Sequence, residues 1–414
     1  MSKHSLKGDK GYKMNNTEKQ FIELLSKSIR NDKKIKKYEE VNWGNLVSLA
    51  GEHKVEGVIY STIKENASNL GVNNIILDEL KTFTFYTAIS EIRKISFLDN
   101  IFKKFHDENI SVIALKGLVL RNFYPEPDQR SMCDADVLVN KEDLKRITEL
   151  LKSIDYELES EDEKFHLKFT HRMYPMIEVH WSLVEGEELD NSIWENTVKS
   201  KLINTEIITL GNEDFLLHLC QHMIHHMTGM GFGLRQLADL VLFTEANRDL
   251  INWNNFKNKS KEQGIEKFVL IIFGLCKNLF DMDIPDILVD RDIIYSPNMD
   301  LFIEDILLGG VYGRSNNEKM LANSIVINTN QNDDNPVISM AKKIKSVLNP
   351  SDETLVGKYS YASKFKLLKP FAGVQQIYHS RFNEDYGFVD NVKFIYKGIK
   401  MSKDRNNLIR WLGI

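Results

Sequence analysis

Two short segments, Asp134-Ala-Asp136-Val-Leu-Val139 and Met176-Ile-Glu178-Val-His180-Trp181, constrain this chain more than any other feature. Each reads as a strand, and side chains two apart on a strand point to the same face. The first segment therefore turns two carboxylates one way, and the second turns Glu178 and His180 one way. Burying like charges a few ångströms apart is unfavourable unless one takes a proton or a cation sits between them. A fold that holds both strands side by side must supply that neutralisation.

The surrounding chain is long and mostly of helical texture. Its 414 residues exceed what one ordinary domain needs, so two to three structural units are expected. A composition of 42% hydrophobic and 27% charged residues is that of a folded globular protein and excludes collagen-like or low-complexity architecture. The longest unbroken apolar run, Phe268 to Cys276, is far shorter than the roughly 20 residues a bilayer crossing requires. The N-terminus lacks the apolar stretch of a secretory signal, which makes a cytoplasmic location the default expectation. Cys133, Cys220 and Cys276 are too scattered for a disulfide framework and form no C-x-x-C pair.

The chain divides by texture into four stretches. Residues 1–14 are Lys/Gly/Ser/Asn-rich without periodicity and read as a disordered leader, and 15–100 carries helical spacing at Glu18–Arg30, Leu46–Ile63 and Leu77–Phe105. Residues 101–210 alternate short β-branched runs with turns: Ile110–Leu115, a helix from Gly117 to Phe123 stopped by Tyr124-Pro125, then Asp134–Val139, a helix over Lys141–Leu151, and strands at Phe165–Thr170 and Met176–Trp181. Residues 211–414 return to helical periodicity, clearest at Asp214–Glu245 and Glu266–Phe280. The expected class is α+β, a small mixed sheet flanked by mainly helical N- and C-terminal domains.

If the strand of Glu178 lies beside that of Asp134 and Asp136, three acids surround one or two metal ions. Hard cations such as Mg²⁺ or Mn²⁺ take carboxylate oxygens together with substrate phosphate. Two such ions can activate an attacking oxygen and stabilise a leaving one in phosphoryl or nucleotidyl transfer. Each piece also has a plain structural reading: D-x-D at a solvated strand end, Glu178 paired with an Arg or Lys at a sheet edge. Upstream, Leu115-Lys116-Gly117 forms a strand-turn-helix whose glycine lets backbone approach a ligand, or serves the turn alone.

In this order, A-L-K-G at 114–117, Y-P at 124–125, R-S-M-C-D-A-D at 130–136 and E-V-H-W at 178–181 resemble the polymerase-β-type nucleotidyltransferase superfamily. They are more narrowly similar to the bacterial group called uncharacterised nucleotidyltransferases. The resemblance is strongest over 101–181. It implies that Asp134 and Asp136 bind the metals carrying a nucleoside triphosphate and that Glu178 binds the catalytic metal and helps deprotonate an acceptor hydroxyl. It also implies that Gly117 packs its backbone against the triphosphate and that pyrophosphate is released. The sequence departs from the superfamily at the turn, where Lys116-Gly117 replaces the usual Gly-Gly or Gly-Ser; the hydroxyl contact to phosphate is lost and Lys116 can supply a positive charge instead.

Further residues can serve the nucleotide. Arg130 offers a planar fork suited to phosphate, or a salt bridge to the same acids. His180 can hydrogen-bond a metal ligand or substrate, while Trp181 reads as core. Arg235 and Asp239, four apart, form a surface ion pair or, if their helix packs over the sheet, turn Arg235 toward the substrate cleft. His218, His222 and His225 share one helix face, with His226 adjacent; packing, contact with a nucleotide or acceptor, and a zinc site all fit that spacing. A zinc site would make the chain a metal phosphohydrolase, yet no H-E-x-x-H or His-Asp pair accompanies it. Gly229 to Gly233 follows a helix rather than a strand and reads as a connection. Residues 341–414 carry a net +8, including Lys342, Lys343, Lys345, Lys364, Lys366 and Lys369, against −13 for the rest of the chain. Such a surface attracts an anionic partner or is a solvated face.

The expectation is an Mg²⁺- or Mn²⁺-dependent nucleotidyltransferase that uses a nucleoside triphosphate, ATP by default. The acceptor is a small molecule or peptide; nucleic acid is disfavoured because the acidic half would repel it. The alternative is a catalytically silent nucleotide-binding or scaffold protein of the same fold.

Overall fold

The computed structural model describes residues 12–38, 40–160, 165–184, 192–228, 231–311, 361–365, 368–369, 372 and 401–414. Residues 1–11 of the expected leader, and Lys342, Lys343, Lys345 and Lys366 of the basic segment, lie outside them. Tyr12 and Met14 pack against the core.

Helix α1 (Asn16–Ile29) begins at a capping box. Asn15 Oδ1 accepts from Glu18 N–H, and the Glu18 carboxylate accepts from Asn15 N–H. Its apolar face buries Phe21, Ile22, Leu24, Leu25 and Ile29. The helical spacing over Leu46–Ile63 is divided at Lys54, which adopts φ 57°, ψ 44° and ends α2 (Trp43–His53) before α3 (Glu56–Glu65). A turn of helix, α4 (Ala67–Leu70), leads to the 34-residue α5 (Asn74–Asp107), capped by Asn73.

The sheet follows. Its strands are β1 (Val112–Ala114), β2 (Asp134–Val139), β3 (Glu157–Ser160), β4 (His166–Thr170), β5 (Met176–His180), β6 (Val198–Lys201) and β7 (Glu206–Thr209), in spatial order β3-β4-β5-β2-β1-β7-β6. The pairs β2/β5 and β1/β7 are parallel and the others antiparallel. Between them lie α6 (Gly117–Leu120), a 3-10 turn Arg121–Phe123, α7 (Leu144–Lys152) and α8 (Ser192–Glu195). On β2 and β5 one face presents Ala135, Val137, Val139, Ile177 and Val179, all buried. The opposite face carries the acids.

The chain then returns to helices: α9 (Asn212–Thr228), α10 (Leu234–Ala246), α11 (Trp253–Glu262), α12 (Glu266–Phe280), α13 (Arg291–Ile294) and α14 (Pro297–Gly309), with residues 401–412 also helical. Apolar residues from Phe21 to Leu412 join in one buried cluster, so the flanking helices share a core with the sheet domain. The C-terminal helix is tied in by Arg405, whose guanidinium meets both oxygens of Asp305 at 3.0 and 2.9 Å and donates to Met227 O at 2.6 Å. The architecture is α+β, a seven-stranded mixed sheet with helices on either side in sequence. No helix among the described residues is long and apolar enough to cross a membrane.

Candidate active site

Register builds the acidic centre. In the parallel pair, Asp134 stands opposite Met176, Asp136 opposite Glu178 and Leu138 opposite His180. Asp134, Asp136, Glu178 and His180 therefore share one face, the aspartates at the start of β2 and Glu178 and His180 in the second half of β5. The antiparallel neighbour β1 ends at the same place: Leu115 N–H donates to Asp136 O at 3.0 Å, which delivers Lys116 to the acids.

Lys116 Nζ donates to Asp136 Oδ1 at 2.6 Å. His180 Nε2 lies 3.2 Å from the same oxygen and 3.5 Å from Glu178 Oε2. The electrostatics follow from this crowding. Burial disfavours the charged forms throughout. At Asp136 the ammonium of Lys116 and the hydrogen bond from His180 overcome burial and hold the carboxyl well below its ordinary range. At Asp134 burial and the neighbouring Asp136 act together and push the carboxyl up to about 6. Glu178 is lowered, against burial, by its hydrogen bond to His180. His180 is raised, against burial, by its bonds to Asp136 and Glu178, and Lys116 is raised, against burial, by Asp136.

The donor set suits a divalent cation. Asp136, Glu178 and His180 each offer a ligand atom, all within 4.8 Å of one another, and Asp134, whose carboxyl burial and Asp136 raise, borders the group. This trio differs from the sequence-based one in including His180 and leaving Asp134 at its edge.

The turn before α6 explains the Lys116-Gly117 departure. Gly117 is closely approached: a Cβ there would lie 2.5 Å from an Arg130 Nη and 2.8 Å from Met132 Sδ, so a serine would displace one of these side chains. Lys116, not Gly117, takes the left-handed backbone, at φ 45° and ψ −119°.

Arg130 is buried, and its bidentate partner is Asp239 of α10, at 2.8 and 3.2 Å; Tyr124 O–H donates to the same carboxylate at 2.9 Å. Its bridge is therefore to neither Asp134 nor Asp136, and Arg235 and Asp239 do not form the surface pair that their spacing allows. Both are buried, at 8% and 4% exposure. Arg235 instead donates to Ser131 O and Oγ, each at 3.0 Å, and its Nε has no partner. Lys94 of α5 donates to Met132 O at 2.6 Å. Two cations from two helices thus clamp the segment that enters the acidic strand.

The acids open onto one cleft of about 520 Å³. Lys116, Gly117, Arg130, Asp134, Asp136, Glu178, His180 and Arg235 all border it, so the structure brings every sequence-predicted site residue to one cavity. The opposite wall is α9, which contributes His218, Gln221, His222 and His226. His222 and His226 meet through their Nε2 atoms at 2.9 Å. Burial, then the positive charge of Lys116, lowers His218 to about 3 and His222 well below its ordinary value; burial likewise lowers His226 to about 4. Burial thus favours the uncharged form of these three imidazoles. Among the described residues no group of three metal-ligating side chains forms on α9. Sequence reasoning missed His166 and Lys168, which border the cleft because β4 pairs them with His180 and Glu178. Only sheet order places them there.

The family model for uncharacterised nucleotidyltransferases matches residues 39–281, which spans α2 through α12 and the whole sheet. The chain belongs to that family. Nucleotidyl transfer is the reaction class of this group. A search of curated proteins finds no match. Among solved structures, the crystal structure of the lincosamide antibiotic adenylyltransferase LnuA, with lincomycin bound, is similar at 14% identity and a TM-score of 0.28, covering 36% of this chain and 94% of that one.

Proposed function

We propose that this family member transfers a nucleoside monophosphate from a nucleoside triphosphate, ATP by default, to a hydroxyl or similar group of a small molecule or peptide, with release of pyrophosphate. The observation that carries this reading is the in-register pairing of Asp136 with Glu178, with Asp134 on the same face and the Gly117 turn adjoining. Asp134, Asp136 and Glu178, with His180 at hand, would hold Mg²⁺ or Mn²⁺. Such an ion, when bound, neutralises charge on the phosphates and lowers the pKa of a coordinated hydroxyl. Glu178 is placed to accept a proton from the acceptor, and His180 fixes its carboxylate. Lys116 and Arg235 bring positive charge to where a triphosphate would lie, and Gly117 opens backbone to it. Arg130, neutralised by Asp239, acts by holding the wall over Gly117.

A cleft of about 520 Å³ suits a nucleotide with a small partner or an extended side chain. The buried imidazoles of His218, His222 and His226, which burial holds toward the uncharged form, favour a hydrogen-bonding acceptor over a polyanion. The test is incubation with Mg²⁺ and nucleoside triphosphates labelled at the α- or the γ-phosphate, together with fractionated small-molecule and peptide pools. Label should pass to an acceptor from the α-position alone, with pyrophosphate formed stoichiometrically. Transfer from the γ-position would make the protein a kinase and sink the proposal.

A further inference from the structure

The turn from β1 into α6 holds a residue its backbone disfavours. Leu118 N–H donates to Leu115 O, closing a four-residue turn in which Lys116 takes the first central position at φ 45°, ψ −119°. That is type II′ geometry, where glycine is the normal occupant. A bulky residue persists in such a conformation only where its surroundings over-determine it, and the cases cluster at functional sites. Here the side chain supplies the reason. Lys116 Nζ sits 2.6 Å from Asp136 Oδ1, with only 13% of the lysine side chain and 3% of the aspartate exposed.

That oxygen belongs to the cluster best suited to a divalent cation, Asp136, Glu178 and His180. It is already engaged twice, by the ammonium and by His180 Nε2 at 3.2 Å. An ammonium and a divalent ion repel each other, and they compete for the same lone pairs. A triphosphate changes that balance, since it brings anionic oxygens enough for both cations.

We propose that Lys116 is a resident counter-ion that closes the metal site of the nucleotide-free protein. When nucleotide arrives the ammonium passes from Asp136 to the triphosphate, and the divalent cation takes the carboxylate it vacates. Metal therefore binds with nucleotide and only weakly without it. The inference rests on reading these acids as the metal site of nucleotidyl transfer.

The test is Mn²⁺ titration of the nucleotide-free full chain, following the free-ion electron paramagnetic resonance signal, with wild type, Lys116→Met, Lys116→Gly and Lys116→Arg. Met keeps the stem and removes the charge; Gly removes the charge and suits the turn, which guards against a variant that merely fails to fold. Lys116→Met and Lys116→Gly should bind Mn²⁺ at least tenfold more tightly than wild type, and Lys116→Arg should stay weak. A non-hydrolysable ATP analogue should tighten Mn²⁺ binding in wild type and add far less in the two charge-free variants. If wild type binds Mn²⁺ with the analogue but neither Lys116→Gly nor Lys116→Met gains affinity without it, the counter-ion proposal is overturned while the metal site stands. If no protein binds Mn²⁺ under either condition, the metal-site reading fails and takes the proposal with it.

Discussion

Asp136 and Glu178 are directly opposed across the parallel strands β2 and β5, and His180, two residues beyond Glu178, reaches back to both carboxylates. Glu178→Gln keeps the shape of that side chain and one acceptor oxygen but removes its charge and basicity. General-base and charge terms of this kind are each worth about 10²–10⁴-fold. Nucleotidyl transfer by Glu178→Gln is expected to fall by at least about 10²-fold, with the melting curve close to wild type. Undiminished turnover in a folded variant would remove Glu178 from the chemistry.

The Arg130–Asp239 pair is a buried contact that should contribute to stability. Both side chains are almost fully buried, and Tyr124 adds a third bond to the same carboxylate. Removing one partner of a buried pair leaves an uncompensated charge and costs about 3–5 kcal/mol. Asp239→Ala should lower stability by that amount in denaturant titrations, and Tyr124→Phe by about 1 kcal/mol.

Asp134 behaves oppositely. Its carboxyl titrates at about 6 in the folded chain, above its ordinary value of 3.8, because burial and Asp136 penalise the charged form. A raised carboxyl pKa costs stability as pH rises from about 4 to about 6, and the full cost remains above that. Asp134→Asn should therefore melt higher than wild type in EDTA at pH 7–8, by up to about 3 kcal/mol, with the difference vanishing below about pH 4. It should also lose activity. A variant destabilised at pH 8 would contradict this account of the site.

Arg235 is a buried cation for which no carboxylate lies within ion-pair distance among the described residues; it bonds only Ser131 on the cleft wall. Charge-assisted bonds to phosphate contribute about 1.5–3 kcal/mol. Arg235→Ala should raise the KM for nucleotide by about 10–100-fold, and Arg235→Lys should recover part of it. Steady-state kinetics in nucleotide concentration decide this, and an unchanged KM would assign Arg235 to the Ser131 clamp alone.

The acid strands were legible in the sequence because their pattern is local: period-two alternation and a D-x-D spacing fix which side chains share a face. Their pairing was not, since it depends on β1 and β5 flanking β2, which no local spacing encodes. The strand β6, Val-Lys-Ser-Lys, escaped notice because an exposed edge strand carries charges where a core strand alternates. Strands β3 and β7 are short, and α11, Trp253–Glu262, is so polar that only Phe256 and Ser260 are buried. The break at Lys54 depends on a left-handed residue that is not glycine, for which sequence has no signal. Likewise Arg130 and Asp239 lie 109 residues apart, and only the packing of α10 against the sheet domain joins them. Candidate residues could be read singly, whereas the partner of each was set by tertiary structure.

We propose that the acids on β2 and β5 form a metal-dependent nucleotide site. Calorimetric titration of ATP, GTP, CTP and UTP with Mg²⁺, into wild type and an Asp134→Asn/Asp136→Asn variant, tests it most directly. One nucleotide or more should bind wild type only when Mg²⁺ is present, and none should bind the folded double variant. Equal binding by both proteins, or binding indifferent to Mg²⁺, would contradict it.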